Sequence, residues 1–380
     1  MRTFLINASN LHIGGGVQVA VSIIGELTRM SNLPLALSVW ASTEVDDNLR
    51  KLGYDLSRLP SYEVQNSYGI KLLFSSLNRR LQTFSVVLTI FGPLYVLRLS
   101  GRSLVGFAQP WIIYPENEIA SSYSWLKRSL TKLKFYLQSV FFSKADILLV
   151  ELEHVRNGLV NRGIKNEMAI RVVHNCLSSL YFKPETWHAV NVPFVQCDIR
   201  LGFVGRNYSH KNTSIFPLII YYLKLNHSIK ASIYVTFNNE EWDACDEIFR
   251  EAVTNVGPLL VAQCPYFYKK MDAVIFPSLL ECFSVTPLES MAMERPLFAS
   301  DRSFNRDICG DYAHYFDPLD PINAAECIAE YLKQKSIHPH QASQELQAAR
   351  KHALELSNST ERAQEYLQCL LTASFTETKI

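Results

Sequence analysis

Two glutamates eight residues apart, Glu281 and Glu289, have the type and setting to bind a sugar joined to a phosphate. They follow an apolar run at 272–276, which is typical of a buried strand. The first glutamate lies in the predicted loop and the second in the first turn of a predicted helix. Carboxylate oxygens accept strong hydrogen bonds from hydroxyl groups, and a helix N-terminus attracts phosphate.

The same residues also permit a purely structural interpretation. The run Thr286-Pro287-Leu288-Glu289 has the form of a capping box, with Thr286 at the N-cap, proline at the first helical position and Glu289 at N3. In that case Glu289 satisfies only its own helix, and Glu281 is an ordinary acid of a loop. The spacing alone leaves both interpretations open.

A second group of polar residues follows a predicted strand at 200–204, in the segment 205–212. It contains Arg206, which offers a planar fork of donors, and Lys211, which offers a compact charge; the two suit a diphosphate. The alternative is a solvated basic turn.

Three glycines, Gly14, Gly15 and Gly16, lie between the first predicted strand and the first predicted helix, at 17–30. Glycine permits positive φ and a close approach of a ligand to the backbone. The segment is neither a full Gly-x-Gly-x-x-Gly fingerprint nor a phosphate-binding loop with Lys-Ser/Thr. A tight turn explains it equally well.

The elements that position these loops alternate between strand and helix, which favours an α/β fold with two Rossmann-like, doubly wound domains facing a cleft. The alternation stops between Asn175 and Ile199, the expected linker. We predict an N-terminal domain at 1–176, a C-terminal domain at 177–356 and a closing segment at 357–380. Individual predictions include a helix at 240–253, a strand at 259–263 and a last helix at 359–372.

Composition narrows the classes of protein that the chain can belong to. The 380 residues are 48% hydrophobic and 19% charged, and 37 Lys+Arg nearly balance 36 Asp+Glu, which argues against nucleic acid as a partner. All eight cysteines lie at or beyond Cys176 without a Cys-x-x-Cys pair, as expected for reduced thiols. The sequence contains no Asp-x-Asp, and no apolar run is long enough to serve as a signal peptide or membrane span. We therefore expect a cytoplasmic protein without a metal or other cofactor.

These motifs resemble those of family 4 glycosyltransferases, which are retaining enzymes of the GT-B fold that use nucleotide diphosphate-sugar donors. The resemblance covers nearly the whole chain, and it is most specific at Glu281-x7-Glu289 in the context Phe-Pro-Ser…Pro-Leu-Glu-Ser-Met-Ala. It implies that Arg206 and Lys211 neutralise the donor pyrophosphate, that Glu281 binds hydroxyls of the transferred sugar and that Glu289 binds the ribose.

The resemblance implies further contacts with the donor. Backbone N–H groups of Phe283, Ser284 and Val285 would hold the sugar and the distal phosphate. Gly15 and Gly16 would approach the phosphate from the first domain. The last helix would pack on the first domain.

Three positions depart from the family's usual pattern. Ser284 stands where a glycine is common, and Arg295 replaces the glycine that usually precedes the next strand. The region 106–111 lacks the first-domain histidine of many relatives; Gln109 there can form hydrogen bonds but cannot act as a base. Near it, Trp111 either lines an acceptor groove or belongs to the core.

The segment 125–142 mixes four cations with leucines and aromatic residues. Such a basic amphipathic helix either contacts an anionic membrane surface or is a domain helix with a solvated face.

The expected function is sugar transfer to a glycan or lipid-linked acceptor in O-antigen- or capsule-like surface polysaccharide synthesis. The alternatives are a non-catalytic nucleotide- or glycan-binding assembly partner and a nucleotide-sugar epimerase.

Overall fold

A computed structural model describes residues 2–356 and 358–373, which form two compact units. The first unit comprises residues 2–116, 120–175 and 359–373, and the second comprises residues 117–119 and 176–358 without Ser357. Each unit is built around its own parallel sheet. The chain crosses from one unit to the other after Asn175 and returns after Asn358.

The first unit contains a seven-stranded parallel sheet in the order β3-β2-β1-β4-β5-β6-β7. Its strands are β1 Phe4–Ala8, β2 Leu37–Ala41, β3 Tyr62–Val64, β4 Val86–Thr89, β5 Arg102–Gly106, β6 Ile147–Val150 and β7 Ile170–Val172. The first seven helices of the chain are α1 Gly15–Leu27, α2 Thr43–Lys51, α3 Ser76–Leu81, α4 Pro110–Ile113, α5 Glu118–Ser121, α6 Trp125–Lys144 and α7 Glu153–Asn161.

The second unit contains a six-stranded parallel sheet in the order β10-β9-β8-β11-β12-β13. Its strands are β8 Ile199–Gly202, β9 Ala231–Val235, β10 Val253–Asn255, β11 Ala273–Phe276, β12 Leu297–Ser300 and β13 His314–Phe316. Its helices are α8 Phe216–His227, α9 Asn239–Asp243, α10 Glu247–Ala252, α11 Cys264–Lys270, α12 Thr286–Ala292, α13 Ser303–Cys309, α14 Pro321–Ile337 and α15 Pro339–Glu355. The predicted doubly wound α/β class is confirmed in each unit.

The central strands are continuous apolar runs because both faces of each sheet are covered. All five residues of β1 and all four of β11 are buried, as expected for parallel strands between helices. Strand order reverses beside β1 in the first sheet and beside β8 in the second. Loops after these strands therefore lie at the switch points where such sheets bind ligands.

Two predictions near residues 240–263 are wrong. The predicted helix at 240–253 is divided into α9 and α10, because Asp246 accepts a hydrogen bond from the amide of Phe249 and starts a new helix. The predicted strand at 259–263 is absent; residues Val261–Gln263 form a 3-10 turn in which Gln263 binds back to the amide of Leu260. The edge strand is β10 instead.

The last described helix, α16 (Ser359–Thr372), belongs to the first unit. It packs against α1, and Ala363, Tyr366 and Leu370 are buried in the same core as the residues of that helix. The Thr360 hydroxyl donates a hydrogen bond of 2.9 Å to Glu26 of α1. Helix α16 is thus part of the first unit's hydrophobic core.

A buried polar cluster ties α16 to the end of β6. Arg362 of α16 donates a hydrogen bond to the side-chain oxygen of Asn175, whose amide group donates one of 2.7 Å to Glu151. Burial raises the pKa of Glu151 to about 7, although Arg362 opposes the shift.

Among the described residues, no helix combines the length and hydropathy needed to cross a bilayer.

Candidate functional site

The loop after β8 carries the predicted cations. Asn212 ends its short 3-10 turn in the left-handed conformation, at φ 53° and ψ 33°, which asparagine tolerates better than most residues. The Asn212 side chain donates a hydrogen bond of 2.7 Å to the carbonyl of Pro318. These local features fix the turn that presents Lys211.

Lys211 and Glu281 form a close ion pair, with 2.6 Å between Nζ and Oε1. Their side chains are only 14% and 12% exposed, so solvent screens the pair less than it would on the surface. The Lys211 ammonium group also lies 4.9 Å from the ring centre of Phe276, at the end of β11. The structure therefore brings together two of the residues predicted to contact the donor, Lys211 and Glu281.

His210 lies beside this pair, with its Nε2 atom 3.9 Å from Oε1 of Glu281. Its backbone carbonyl accepts a hydrogen bond of 2.8 Å from the amide of Leu279, which joins the loop after β8 to the loop after β11. Burial lowers the pKa of His210, against the opposing effect of Glu281, so the imidazole is mainly neutral at pH 7. In the sequence, only its position next to Lys211 marks this residue as a candidate.

Arg206 is paired with a different carboxylate. Its Nε atom lies 2.6 Å from Oε1 of Glu241, and its side chain is 54% exposed. Glu241 also forms a capping box with Asn238 at the start of α9, which holds the carboxylate in place. Glu241 was not among the predicted site residues, although Asn238-Asn-Glu-Glu241 is a recognisable helix-start pattern.

Glu289 is buried and accepts a hydrogen bond of 2.8 Å from the Tyr268 hydroxyl. Burial raises its pKa, and the bond from Tyr268 acts in the opposite direction. The capping-box interpretation is wrong: Val285 is the N-cap residue of α12, Thr286 is its first helical residue, and no side chain caps the helix. Glu289 instead turns inward from the first turn toward α11.

The segment between Glu281 and α12 offers free backbone donors. The amides of Phe283, Ser284 and Val285 donate no hydrogen bond to any residue within 2–356 and 358–373. Ser284 is buried. Three neighbouring amides of this kind suit an anion or the oxygens of a sugar.

Arg295, one of the departures from the family pattern, has a structural role here. Its Nε atom donates to the carbonyl of Met293 at 3.1 Å, and Nη1 donates to that of Met271 at 3.2 Å. The guanidinium group thus satisfies two carbonyls beside β11 and β12.

In the first unit, the glycines lie at the start of α1. Gly14 is the N-cap residue with φ 73°, and Gly15 and Gly16 begin the helix. Gln109 is the N-cap residue of α4 without a side-chain cap. Trp111 stacks on Phe135 of α6, with ring centres 5.5 Å apart and planes 3° apart.

Comparison with known proteins gives a match over part of the chain. Residues 198–334 match the family model described as glycosyl transferases group 1, a range that includes Arg206, Lys211, Glu281 and Glu289. A search of curated protein sequences finds no match.

Several solved structures resemble the whole chain. HepE from Anabaena, in complex with UDP-glucose, is 11% identical, with 98% of this chain and 100% of that chain covered and a TM-score of 0.69. A glycosyltransferase from Rickettsia africae is 13% identical over 99% and 100% of the two chains, with a TM-score of 0.68. Sucrose-phosphate synthase from Thermosynechococcus elongatus is 14% identical over 98% and 99%, with a TM-score of 0.66. These findings confirm the predicted GT-B fold class and support a glycosyltransferase.

Proposed function

We propose that this protein is a retaining glycosyltransferase of family 4 that moves a sugar from a nucleotide diphosphate donor to a glycan or lipid-linked acceptor. The observation that carries the proposal is the largely buried Lys211–Glu281 pair beside three free amides, inside the range that matches the glycosyltransferase model. HepE binds UDP-glucose on a similar fold, which supports a nucleotide sugar as the donor.

Each residue has a role that suits its surroundings. Arg206 and Lys211 neutralise the diphosphate, Glu281 binds hydroxyls of the transferred sugar, and the amides of 283–285 bind the distal phosphate and sugar. Lys211 and Glu281 form an ion pair with each other. When the donor binds, this ion pair is replaced by a contact of Lys211 with the diphosphate and a contact of Glu281 with the sugar.

Glu289 binds the ribose hydroxyls in this proposal. Tyr268 donates a hydrogen bond to this carboxylate, and the Tyr181 side chain also interacts with it. We propose that Gly15 and Gly16 also contact the donor phosphate, which their small size admits.

The reaction proceeds on one face of the sugar. The bond from the anomeric carbon to the phosphate oxygen breaks, and the acceptor oxygen bonds to the same face. The acceptor's proton passes to the departing phosphate, so no protein base is required. Catalysis then consists mainly of positioning and charge stabilisation. The two cations supply this charge, and we propose that no metal takes part.

A second candidate, a non-catalytic nucleotide- or glycan-binding member, is favoured by one observation. Glu281 and Glu289 each have a protein partner, at 2.6 and 2.8 Å, which also suits a purely structural network. A nucleotide-sugar epimerase is the third candidate.

Transfer and hydrolysis assays across a panel of nucleotide sugars test the proposal. We expect turnover that Lys211→Ala and Glu281→Ala remove, with the exposed Lys224→Ala and Glu330→Ala as matched controls. Nucleotide-induced thermal stabilisation without turnover would favour the second candidate, and conversion of the donor without an acceptor would favour the third. Intact activity in both site variants would refute the site.

We also propose that α6 contacts the cytoplasmic face of an anionic membrane, where a lipid-linked acceptor for surface polysaccharide resides. Leu126, Leu130, Leu133 and Leu137 recur at helical spacing and are 48–60% exposed. The helix has five cations and no acidic residue, so a second copy of the same face would be repelled, whereas anionic lipid would be attracted. Leu130→Ser with Leu133→Ser should abolish co-sedimentation with phosphatidylglycerol vesicles. Retained binding would contradict this contact.

A further inference from the structure

A groove in the first unit lies between α6, α4 and the turn after α7. Its volume is about 520 Å³, within the range of about 300–1,000 Å³ that holds small organic ligands. Its lining runs along α6 from Arg128 to Ser143, a length of about 22 Å at the rise of an α-helix. The donor chemistry proposed above uses none of the residues that line this groove.

The middle of the groove is mainly apolar, although the side chains of Thr131 and Tyr136 also line it. Trp111, Phe135 and Val140 contribute apolar side chains. The hydroxyls of Ser139 and Ser143 donate to carbonyls of α6 itself, at 2.7 and 2.9 Å. These serines therefore present little free polarity to a ligand.

The indole face of Trp111 in the groove is already covered, whereas the Tyr136 side chain is 65% exposed. Trp111 stacks on Phe135, and its plane lies 20° from that of Tyr123 with ring centres 6.1 Å apart. A sugar bound against an aromatic wall needs an open ring face and converging polar groups. A flexible hydrocarbon chain needs neither and gains from burial.

The two ends of the groove differ in charge. At one end, Arg128 and Lys132 each contact Glu116 at 2.8 Å. At the other end, the exposed Arg162 forms no ion pair with any residue that the structure describes. Its guanidinium group suits a phosphate through two parallel hydrogen bonds.

We propose that the groove binds a single-chain lipid with a phosphate head, taken from a membrane surface. The head lies at Arg162 and the chain runs along α6 past Val140 toward Trp111. The exposed leucines of α6 lie on a different stripe of the same helix, so one helix contacts the membrane surface and one of its lipids. This inference goes beyond sugar transfer and does not depend on it.

Dodecyl phosphate, below its critical micelle concentration, is the probe for a binding test on the full chain. Binding is followed by calorimetry and by tryptophan fluorescence in a Trp125→Phe background, which removes the exposed tryptophan of α6. We expect saturable binding of dodecyl phosphate, with dodecyl maltoside and inorganic phosphate binding at least tenfold more weakly.

Two variants and two controls complete the test. Arg162→Gln should weaken binding about tenfold, the loss expected for a charged hydrogen bond, whereas the exposed Arg79→Gln should not change it. Val140→Phe should reduce binding by filling the groove, and Leu130→Ser with Leu133→Ser should leave it intact. Equal binding of dodecyl maltoside, no effect of Arg162→Gln, or loss of binding with the leucine variants would overturn the proposal. Sugar transfer is not measured, so the outcome is separate from that of the proposed enzyme.

Discussion

The loops after β1 and after β8 hold corresponding positions in the two sheets but differ in charge. Each follows the strand at which the strand order reverses. The first loop has glycines and no charged side chain at Gly14–Gly16, whereas the second has Arg206 and Lys211, each held by a carboxylate. In both units the strand order places the loop at the edge of the sheet where ligands bind. Of these two loops, only the one after β8 provides fixed positive charge for a diphosphate.

The carboxylates that hold these cations come from other parts of the second unit. Glu241 comes from α9 and Glu281 from the loop after β11. Each cation is thus oriented before a ligand binds. Charges that are already in place stabilise a transition state better than charges that must first be reoriented. The variants below test whether this difference between the two loops determines function.

Loss of Lys211 should have the largest effect. Lys211→Met removes a largely buried charge beside the proposed diphosphate, and we expect turnover to fall by about 10²–10³-fold. The measurement is kcat/KM for the best donor, with Lys224→Met of α8 as control. A loss below tenfold would mean that the charged loop is not the catalytic one.

The first unit's buried carboxyl, Glu151, should make its stability depend on pH. Its pKa is about 7 in the folded protein and near 4.5 when unfolded. A raised pKa means that its contribution to stability is complete below pH 4.5 and is lost as the pH rises through 7, by up to about 3 kcal/mol. Glu151→Gln should reduce the change in the free energy of unfolding between pH 5 and 8, as measured by urea unfolding. The exposed Glu365→Gln should leave this pH dependence unchanged. If Glu151→Gln left the pH dependence of the unfolding free energy unchanged, the raised pKa of Glu151 would be contradicted.

The glycine loop can be probed by substitution at neighbouring positions. Gly14 has φ 73° and ψ −160°, a conformation nearly restricted to glycine, so Gly14→Ala should destabilise the fold by about 1–3 kcal/mol. A Cβ at Gly15 meets nothing within 4 Å, and Gly15→Ala should change stability by less than about 1 kcal/mol. Urea unfolding measures both. If Gly15→Ala reduces turnover without loss of stability, the first loop also contacts the donor.

Loss of Arg206 should have the smallest effect, because its side chain is half exposed. Arg206→Gln should weaken binding of the preferred nucleoside diphosphate about tenfold, as measured by calorimetry. Arg250→Gln, at another exposed arginine of the second unit, is the control. If Arg206→Gln and Arg250→Gln bound the nucleoside diphosphate with equal affinity, Arg206 would not be part of the binding site.

The sequence was sufficient for the parts of the structure that local pattern determines. Apolar runs located the central strands, and helical periodicity gave α16 at 359–372. Contacts between distant residues were not accessible in this way: Arg206 meets Glu241, and Glu289 meets Tyr268, only after loops and helices have packed. The error at 240–253 is different in kind, since Asn238 and Asp246 were visible as two helix starts.

The composition of the first unit also has a consequence for the order in which the protein is synthesised. Its core includes Ala363, Tyr366 and Leu370 of α16, separated from the rest of the unit by about half of the chain. A ribosome therefore releases the first 175 residues long before the segment that completes their core. The second unit is contiguous apart from three residues and can form during that delay. The unit whose chain begins first is therefore completed last.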